Sequence, residues 1–202
     1  MLKIGGRTLL QWQLELLKRH GINDVVVVRG HKADAINYPN LKYYHNPNYE
    51  HNNILASLFY AKEEMDNAFI FSYSDILYGD SALLKLLHSE GDICLVVDTG
   101  WRRRYEGRYQ HPEAEAEKVV VKGNEITQIT KNMDRIPSSK VHGEFIGLAK
   151  FSKVGAKILR SEYERVAKDF RGKRFHDAIS IDKAYLTDMF QELIDRGYAV
   201  NN

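Results

Sequence analysis

Hydrophobic spacing switches between two periods along the first half of the chain, and each switch marks a new element. In "TLLQWQLELLKRHG" the apolar residues Leu9, Leu10, Leu14, Leu16 and Leu17, with Trp12 beside them, fall on one face of a helix that Gly21 closes. "DVVVVRG" follows as a continuous β-branched run, the pattern of a strand covered on both faces. "LKYYHNP" is a second strand, stopped by Asn46-Pro47. "NILASLFYAKEEM" returns to helical spacing, with Ile54, Leu55, Leu58, Ala61 and Met65 inward and Asn52 or Asn53 placed to cap it. The strand "NAFIFSY", the helix "SALLKLLHS" and the strand "DICLVVD" continue the alternation.

Strands alternating with helices across short links predict an α/β fold, Rossmann-like and three-layered, with a mostly parallel sheet and helices on both faces. The right-handed crossover rule leaves few topologies beyond a doubly wound one. In such folds ligands gather at the carboxyl ends of strands. The second half is less regular. Residues 99–117 show no sustained period and read as a long loop, which is more often functional than idle. "KVVVKGNEITQIT" predicts an inserted β-hairpin turning at Gly123-Asn124, and "HGEFIGLAKF" a further strand. Two helices finish the chain, roughly "KVGAKILRSEYERVAKDF" and "KAYLTDMFQELIDRG". With no repeat, low-complexity tract or linker, residues 1–202 read as one domain.

Composition narrows the function classes. A net charge of +2 is too mild to predict nucleic-acid or membrane binding from charge alone. No apolar run approaches the roughly 18 residues of a membrane span. Cys94 lies in an apolar strand and reads as a buried, reduced thiol of a cytosolic protein. The start lacks the plan of a signal peptide, so a cytoplasmic location is expected.

Chemistry is suggested first by "FIFSYSDILYGD", residues 69–80, where an apolar strand ends on Ser74-Asp75. A carboxylate at a strand tip suits Mg2+, a hard cation that keeps several waters while bridging to phosphates. The same aspartate reads equally as a turn or helix cap. "WRRRYEGR" gathers Trp101 and Tyr105 with Arg102, Arg103, Arg104 and Arg108, fit for phosphate oxygens and a cationic head group, or simply a solvated basic loop. Glu144 sits among apolar neighbours between Gly143 and Gly147, which would let a ligand approach the backbone. Lys131 is either a strand-end lysine or a phosphate contact. Gly5-Gly6 match neither the dinucleotide nor the P-loop pattern and read as a turn. The eight histidines show no metal spacing.

Taken in order, "IGGRTLLQWQLELLKRHGINDVVVVRGH", "NNILASLF", "YSDILY", "HPEAEAE" and "GEFIGLAKFS" resemble the sugar-nucleotidyltransferase-like superfamily. The chain is most similar to its CTP-dependent cytidylyltransferases for phosphocholine or for phosphonates such as 2-aminoethylphosphonate. "GEFIGLAKFS" with "AYLTDMFQELID" leans toward the phosphonate branch. The resemblance implies a nucleotidyltransferase in which Asp75 is the catalytic aspartate and binds Mg2+, and Lys131 faces the phosphates. It places Asn52, Asn53, Ser57 and Ser74 near the nucleotide, and Trp101, Arg102 and Glu144 around the acceptor. CTP and a small phosphonate or phosphocholine-like acceptor would be the substrates, and a homodimer is compatible.

The chain also departs from that pattern. Relatives open with a strand, a glycine-rich loop carrying an arginine and a Pro-Lys pair, and they continue after the last helix into a strand with an acidic residue. Neither is found here, Met1 resembles an internal methionine of the longer pattern, and a fragment or a shortened relative is expected. Three further readings stay open: a non-catalytic ligand-binding relative, a sugar-1-phosphate nucleotidyltransferase, and a single-strand nucleic-acid binder using residues 101–108.

Overall fold

A computed structural model of the protein describes residues 2–110, 112–132 and 136–202. Met1 and His111, which lie in the stretches quoted above, fall outside them. The chain starts with a small hairpin, β1 (Lys3–Ile4) and β2 (Arg7–Thr8), turned by Gly5 and Gly6 at φ +58° and +82°. Two consecutive positive φ values suit a tight two-residue hairpin turn, the role expected of this glycine pair. Thr8 then caps α1 (Leu9–Arg19): its hydroxyl accepts from the Gln11 amide, and the Gln11 side chain accepts from the Thr8 amide. The helix stops as expected. Gly21 at φ +77° lets its own amide reach Lys18 O and that of Ile22 reach Leu17 O, satisfying the last carbonyls.

Strands β3 (Val26–Arg29) and β4 (Lys42–His45) pair in parallel. Asn53 caps α2 (Ile54–Leu58), which passes into a 3-10 segment (Phe59–Glu64) rather than continuing as one long helix. After them come β5 (Phe69–Ser72), α3 (Asp80–His88), β6 (Ile93–Asp98) and α4 (Trp101–Tyr105). The hairpin β7 (Lys118–Lys122) and β8 (Glu125–Thr130) turns at Gly123-Asn124, as predicted. The last elements are β9 (Gly143–Phe151), α5 (Lys153–Asp169) and α6 (Leu186–Asp195).

Helices do cover both faces of the central sheet. On one side Leu55, Leu159, Val166, Met189 and Phe190, from α2, α5 and α6, pack on Ile93, Leu95, Phe145 and Phe151. On the other, Leu86 of α3 packs on Cys94 and Leu148. Cys94 is buried and free, in line with its sequence reading. The ring of Phe151 stacks on Phe69, 4.7 Å away, and lies near-parallel to Phe190 at 6.2 Å.

The pairing differs from the expected mostly parallel sheet. The long strand β9 runs antiparallel between β5 and β6, and the pairs within the five-stranded sheet are all antiparallel. The parallel pair between named strands is β3 with β4. Strands β5 and β6 do point the same way, as the alternation predicted, because each opposes the same partner. Residues 200–202 add to the free edge of β6 through Leu95 N to Asn201 O and Asn201 N to Ile93 O, with Val200 fully buried.

One detail of register creates the site. On one edge of β9, β5 pairs with residues 148–151 and β7 with residues 143–144. Between them the ladder is broken at Gly147, where φ is +82°. The chain therefore leaves that edge at Tyr73 and re-enters it at Lys118, and the crevice is this gap in the ladder near the carboxyl ends of β5 and β6.

Candidate active site

The crevice takes its first group from the turn after β5. Asp75 is exposed and its carboxylate has no partner among the described residues. The turn is fixed from behind. Gln13, on the buried face of α1, donates to both Tyr73 O and Ile76 O at 2.8 Å. The Tyr73 amide donates to Gly147 O at 2.8 Å, and its ring lies where any side chain at position 147 would sit: a Cβ there would come 2.0 Å from the ring. Gly143 likewise makes room for Val97. The two glycines around Glu144 thus admit neighbouring side chains of the fold, in place of the ligand approach that their positions suggested.

Opposite the turn lies a buried carboxylate that the sequence reading did not single out. Glu117 is 6% exposed and receives the Tyr73 hydroxyl at 3.2 and 3.3 Å. The Lys131 ammonium stands 3.3 Å from the same carboxylate and 3.9 Å from the centre of the Tyr185 ring. Burial pushes the Glu117 carboxyl up to about 7, against the opposing pull of Lys131 and the Tyr73 hydroxyl. Glu144 lies across the ladder from both Lys118 and Asp98, and its carboxyl is also raised, chiefly by burial. The Tyr105 hydroxyl donates to it in a short contact. Lys118 is buried with its ammonium on Ala114 O and Ala116 O, at 3.3 and 3.1 Å, and burial lowers its pKa.

The remaining predicted residues have other company. Residues 99–117 are not all loop, since α4 and a 3-10 turn (Glu113–Glu115) lie within them. Trp101 points inward at 2% exposure with its ring edge-on to Tyr105, so Tyr105 is the aromatic of α4 that reaches Glu144. Arg102 donates to Ser138 O at 2.8 Å, and Arg104 pairs with Asp98. Asn52 and Ser57 bind the buried Asn46, which donates to them at 2.9 and 3.1 Å. Asn53 caps α2 and donates to Lys183 O at 3.2 Å. The structure therefore sets Lys131 and Glu144 beside Glu117, with Asp75 on the turn two residues after Tyr73, while Asn52 and Ser57 gather on Asn46 and Asn53 caps α2. Ser74 is exposed beside Asp75. A cavity of about 460 Å3 with Phe59, Tyr60 and Tyr163 on its wall shares Asn52 with these residues and includes neither Asp75 nor Lys131.

The donor set suits a hard cation in one limited way. No cluster of three metal-binding side chains occurs among the described residues. A lone, unpaired carboxylate at a strand tip is still compatible with Mg2+, which takes one or two carboxylates and fills its octahedron with waters and substrate phosphates.

The sequence profile of the MobA-like NTP transferase domain matches residues 1–144. The chain belongs to this family. It is a nucleotidyltransferase domain. A CTP:phosphoglutamine cytidylyltransferase of Campylobacter jejuni is 26% identical over 207 aligned positions, spanning 97% of this chain and 79% of the relative. Solved structures share the fold. The inositol-1-phosphate CTP transferase from T. maritima superposes with a TM-score of 0.69 at 20% identity, over 99% of this chain and 74% of its own. The CTP:phosphocholine cytidylyltransferase from Streptococcus pneumoniae gives 0.64 at 16%, over 98% and 76%. No helix among the described residues is long and apolar enough to cross a membrane.

Proposed function

We propose that this NTP transferase domain moves a cytidylyl group from CTP to a small phosphorylated or phosphonate acceptor, releasing pyrophosphate. The observation that carries the reading is the Asp75 carboxylate, unpartnered among the described residues, on a clamped turn that Tyr73 links through Glu117 to Lys131. The relatives named above as acting with CTP give the choice of nucleotide. An acceptor oxygen bonds to the α-phosphorus as the bond to the β-phosphate oxygen breaks. That acceptor is already an anion near neutral pH, so no strong general base is needed. The work left to the protein is in-line positioning and charge neutralisation.

Asp75 would hold Mg2+, which supplies charge neutralisation on the phosphates when bound. Lys131 places a second positive charge in the crevice. Glu144, with Tyr105 beside it, presents an acidic and aromatic wall suited to the amine of an acceptor such as 2-aminoethylphosphonate or to the head group of phosphocholine. Asn52, Asn53 and Ser57 act on this reading by fixing α2 beside the nucleotide. A cytoplasmic enzyme is the matching setting for a CTP-dependent reaction.

The test is pyrophosphate release from CTP with each acceptor in the presence of Mg2+. Asp75→Asn is expected to lower turnover about 100-fold or more, since a metal contributes several kcal/mol to such charge stabilisation. Its thermal midpoint should stay within a degree or so, because the side chain is exposed and unpaired. An unchanged rate would sink the role given to Asp75. Glu144→Ala should raise KM for the acceptor more than for CTP, and equal losses would displace Glu144 from the acceptor side.

A further inference from the structure

We propose that Glu117 is a positioning residue that holds the Lys131 ammonium over the crevice and ties it to the turn bearing Asp75. The inference deepens the nucleotidyl-transfer reading and rests on it for its kinetic consequence alone. Its structural part stands on contacts. The carboxylate of Glu117 is nearly sealed from solvent, yet it accepts from two partners on different elements: the Tyr73 hydroxyl at the end of β5 and Lys131 at the end of β8. Its own backbone is fixed as well, because Glu117 O accepts from Phe145 N at 2.8 Å. Tyr73 is two residues before Asp75 and is held by Gln13, by Gly147 and by the packing of its ring. Lys131 has a second restraint in the face of the Tyr185 ring. Tyr185 is pinned at the start of α6, where its amide donates to the Asp188 carboxylate at 2.7 Å.

Stability alone is a weak reason for such an arrangement, since burying an ion pair often costs as much as the pair returns. Geometry gives a better one. A lysine at a strand end is a long, freely rotating point charge, and catalysis by charge neutralisation depends on where that charge sits. With Glu117 on one side and Tyr185 on the other, Lys131 loses most of that freedom before substrate arrives. Because the same carboxylate grips Tyr73, movement of the Asp75 turn and of the lysine are coupled through one side chain.

The experiment reads Lys131 itself. The protein is acylated with a limiting amine reagent at about pH 8, where a carboxyl titrating near 7 is mostly ionised, and labelling at each lysine is followed by mass spectrometry. In the unaltered protein Lys131 should react about tenfold more slowly than the exposed Lys122, because its half-buried ammonium is held between the Glu117 carboxylate and the face of the Tyr185 ring. Glu117→Gln, which keeps shape and loses the charge that holds the ammonium, should free Lys131 to reach the reagent, speeding its labelling about tenfold and leaving the other lysines as they were. Equal rates at Lys131 and Lys122 in the unaltered protein would overturn the proposal without any variant having to fold. So would an unchanged Lys131 rate in folded Glu117→Gln.

Kinetics then separate positioning from support. Glu117→Gln should lower kcat about tenfold with the KM for CTP within threefold, and adding it to Lys131→Met should cost nothing more, as expected of residues acting as a unit. Additive losses would overturn action through Lys131. The labelling result holds whatever the reaction proves to be, so failure of the cytidylyl-transfer reading and failure of this inference are told apart.

Discussion

Before Leu55 the described chain buries a single apolar side chain, Leu16, whereas from Leu55 onward buried apolar side chains fill a large core on one face of the sheet and a smaller one on the other. The contrast is not one of sequence character. Helix α1 is rich in leucine and β3 is Val-Val-Val-Arg, yet the four residues of β3 are all half-exposed. Its one strand partner is β4, and β5 likewise has β9 on one edge and no strand on the other among the described residues. By comparison β9 is flanked on both edges, and Phe145, Leu148, Ala149 and Phe151 are at most 2% exposed. Local pattern makes a strand, and two neighbours make it interior. Asp75, Glu117, Lys131 and Glu144 all lie after Leu55, in the half whose packing the proposed site would need in order to hold charges still.

The comparison breaks most readily in the core. Phe190→Ala removes a ring packed between Phe145 and Phe151 and should cost about 3–5 kcal/mol in denaturant unfolding. The matching truncation in the open half, Val27→Ala, should cost no more than about 1 kcal/mol, because a half-exposed side chain leaves little cavity. Similar losses at the two sites would mean that β3 is as well packed as β9. Hydrogen exchange sharpens the same point: amides of β3 and β4 should open at lower free energy than those of β9.

Next in size is a pH effect centred on Glu117. Its carboxyl is raised from 4.5 to about 7 in the folded protein, so the native state binds the proton more tightly than the unfolded chain. Stability from this group is therefore greatest at acid pH, falls as pH rises from about 4.5 to about 7, and is flat above, by about 3 kcal/mol in all. Glu117→Gln should lose that slope, so the difference between the two proteins' stability curves should change with pH across the same window. A difference independent of pH would contradict the burial of this charge. The smallest effect expected is at the surface of the open half. Arg7 and Glu15 pair with both side chains about half exposed, and breaking the pair should change stability by less than about 0.5 kcal/mol.

Much of this was legible in sequence because the signals are local. Period, caps and turn glycines placed α1, β3, β5, β6 and the hairpin of β7 and β8, and the strand tip pointed to Asp75. What local pattern could not show was pairing across distance. β9 inserts between two strands about 75 and 50 residues earlier, and nothing in "GEFIGLAKF" encodes which neighbours it takes. Glu117 was lost for the same reason. In the run "EAEAE" it looks like one solvated acid among several, and only its place beside β9 and below Tyr73 buries it. Helix α4 escaped notice because its one buried residue is Trp101, too little for a period. Gln13 was within reach: a glutamine between leucines on the inward face of a helix needs partners, and it finds two carbonyls behind the Asp75 turn.

The most direct test of the whole account is Mg2+-dependent pyrophosphate release by this 202-residue chain, with CTP, UTP, ATP and GTP each offered together with 2-aminoethylphosphonate, phosphocholine or a sugar 1-phosphate. The account predicts release that requires both CTP and one of the first two acceptors and is lost in Asp75→Asn. Release that ignores the nucleotide base, that proceeds only with a sugar 1-phosphate, or that survives Asp75→Asn would contradict it, as would no release at all from folded protein.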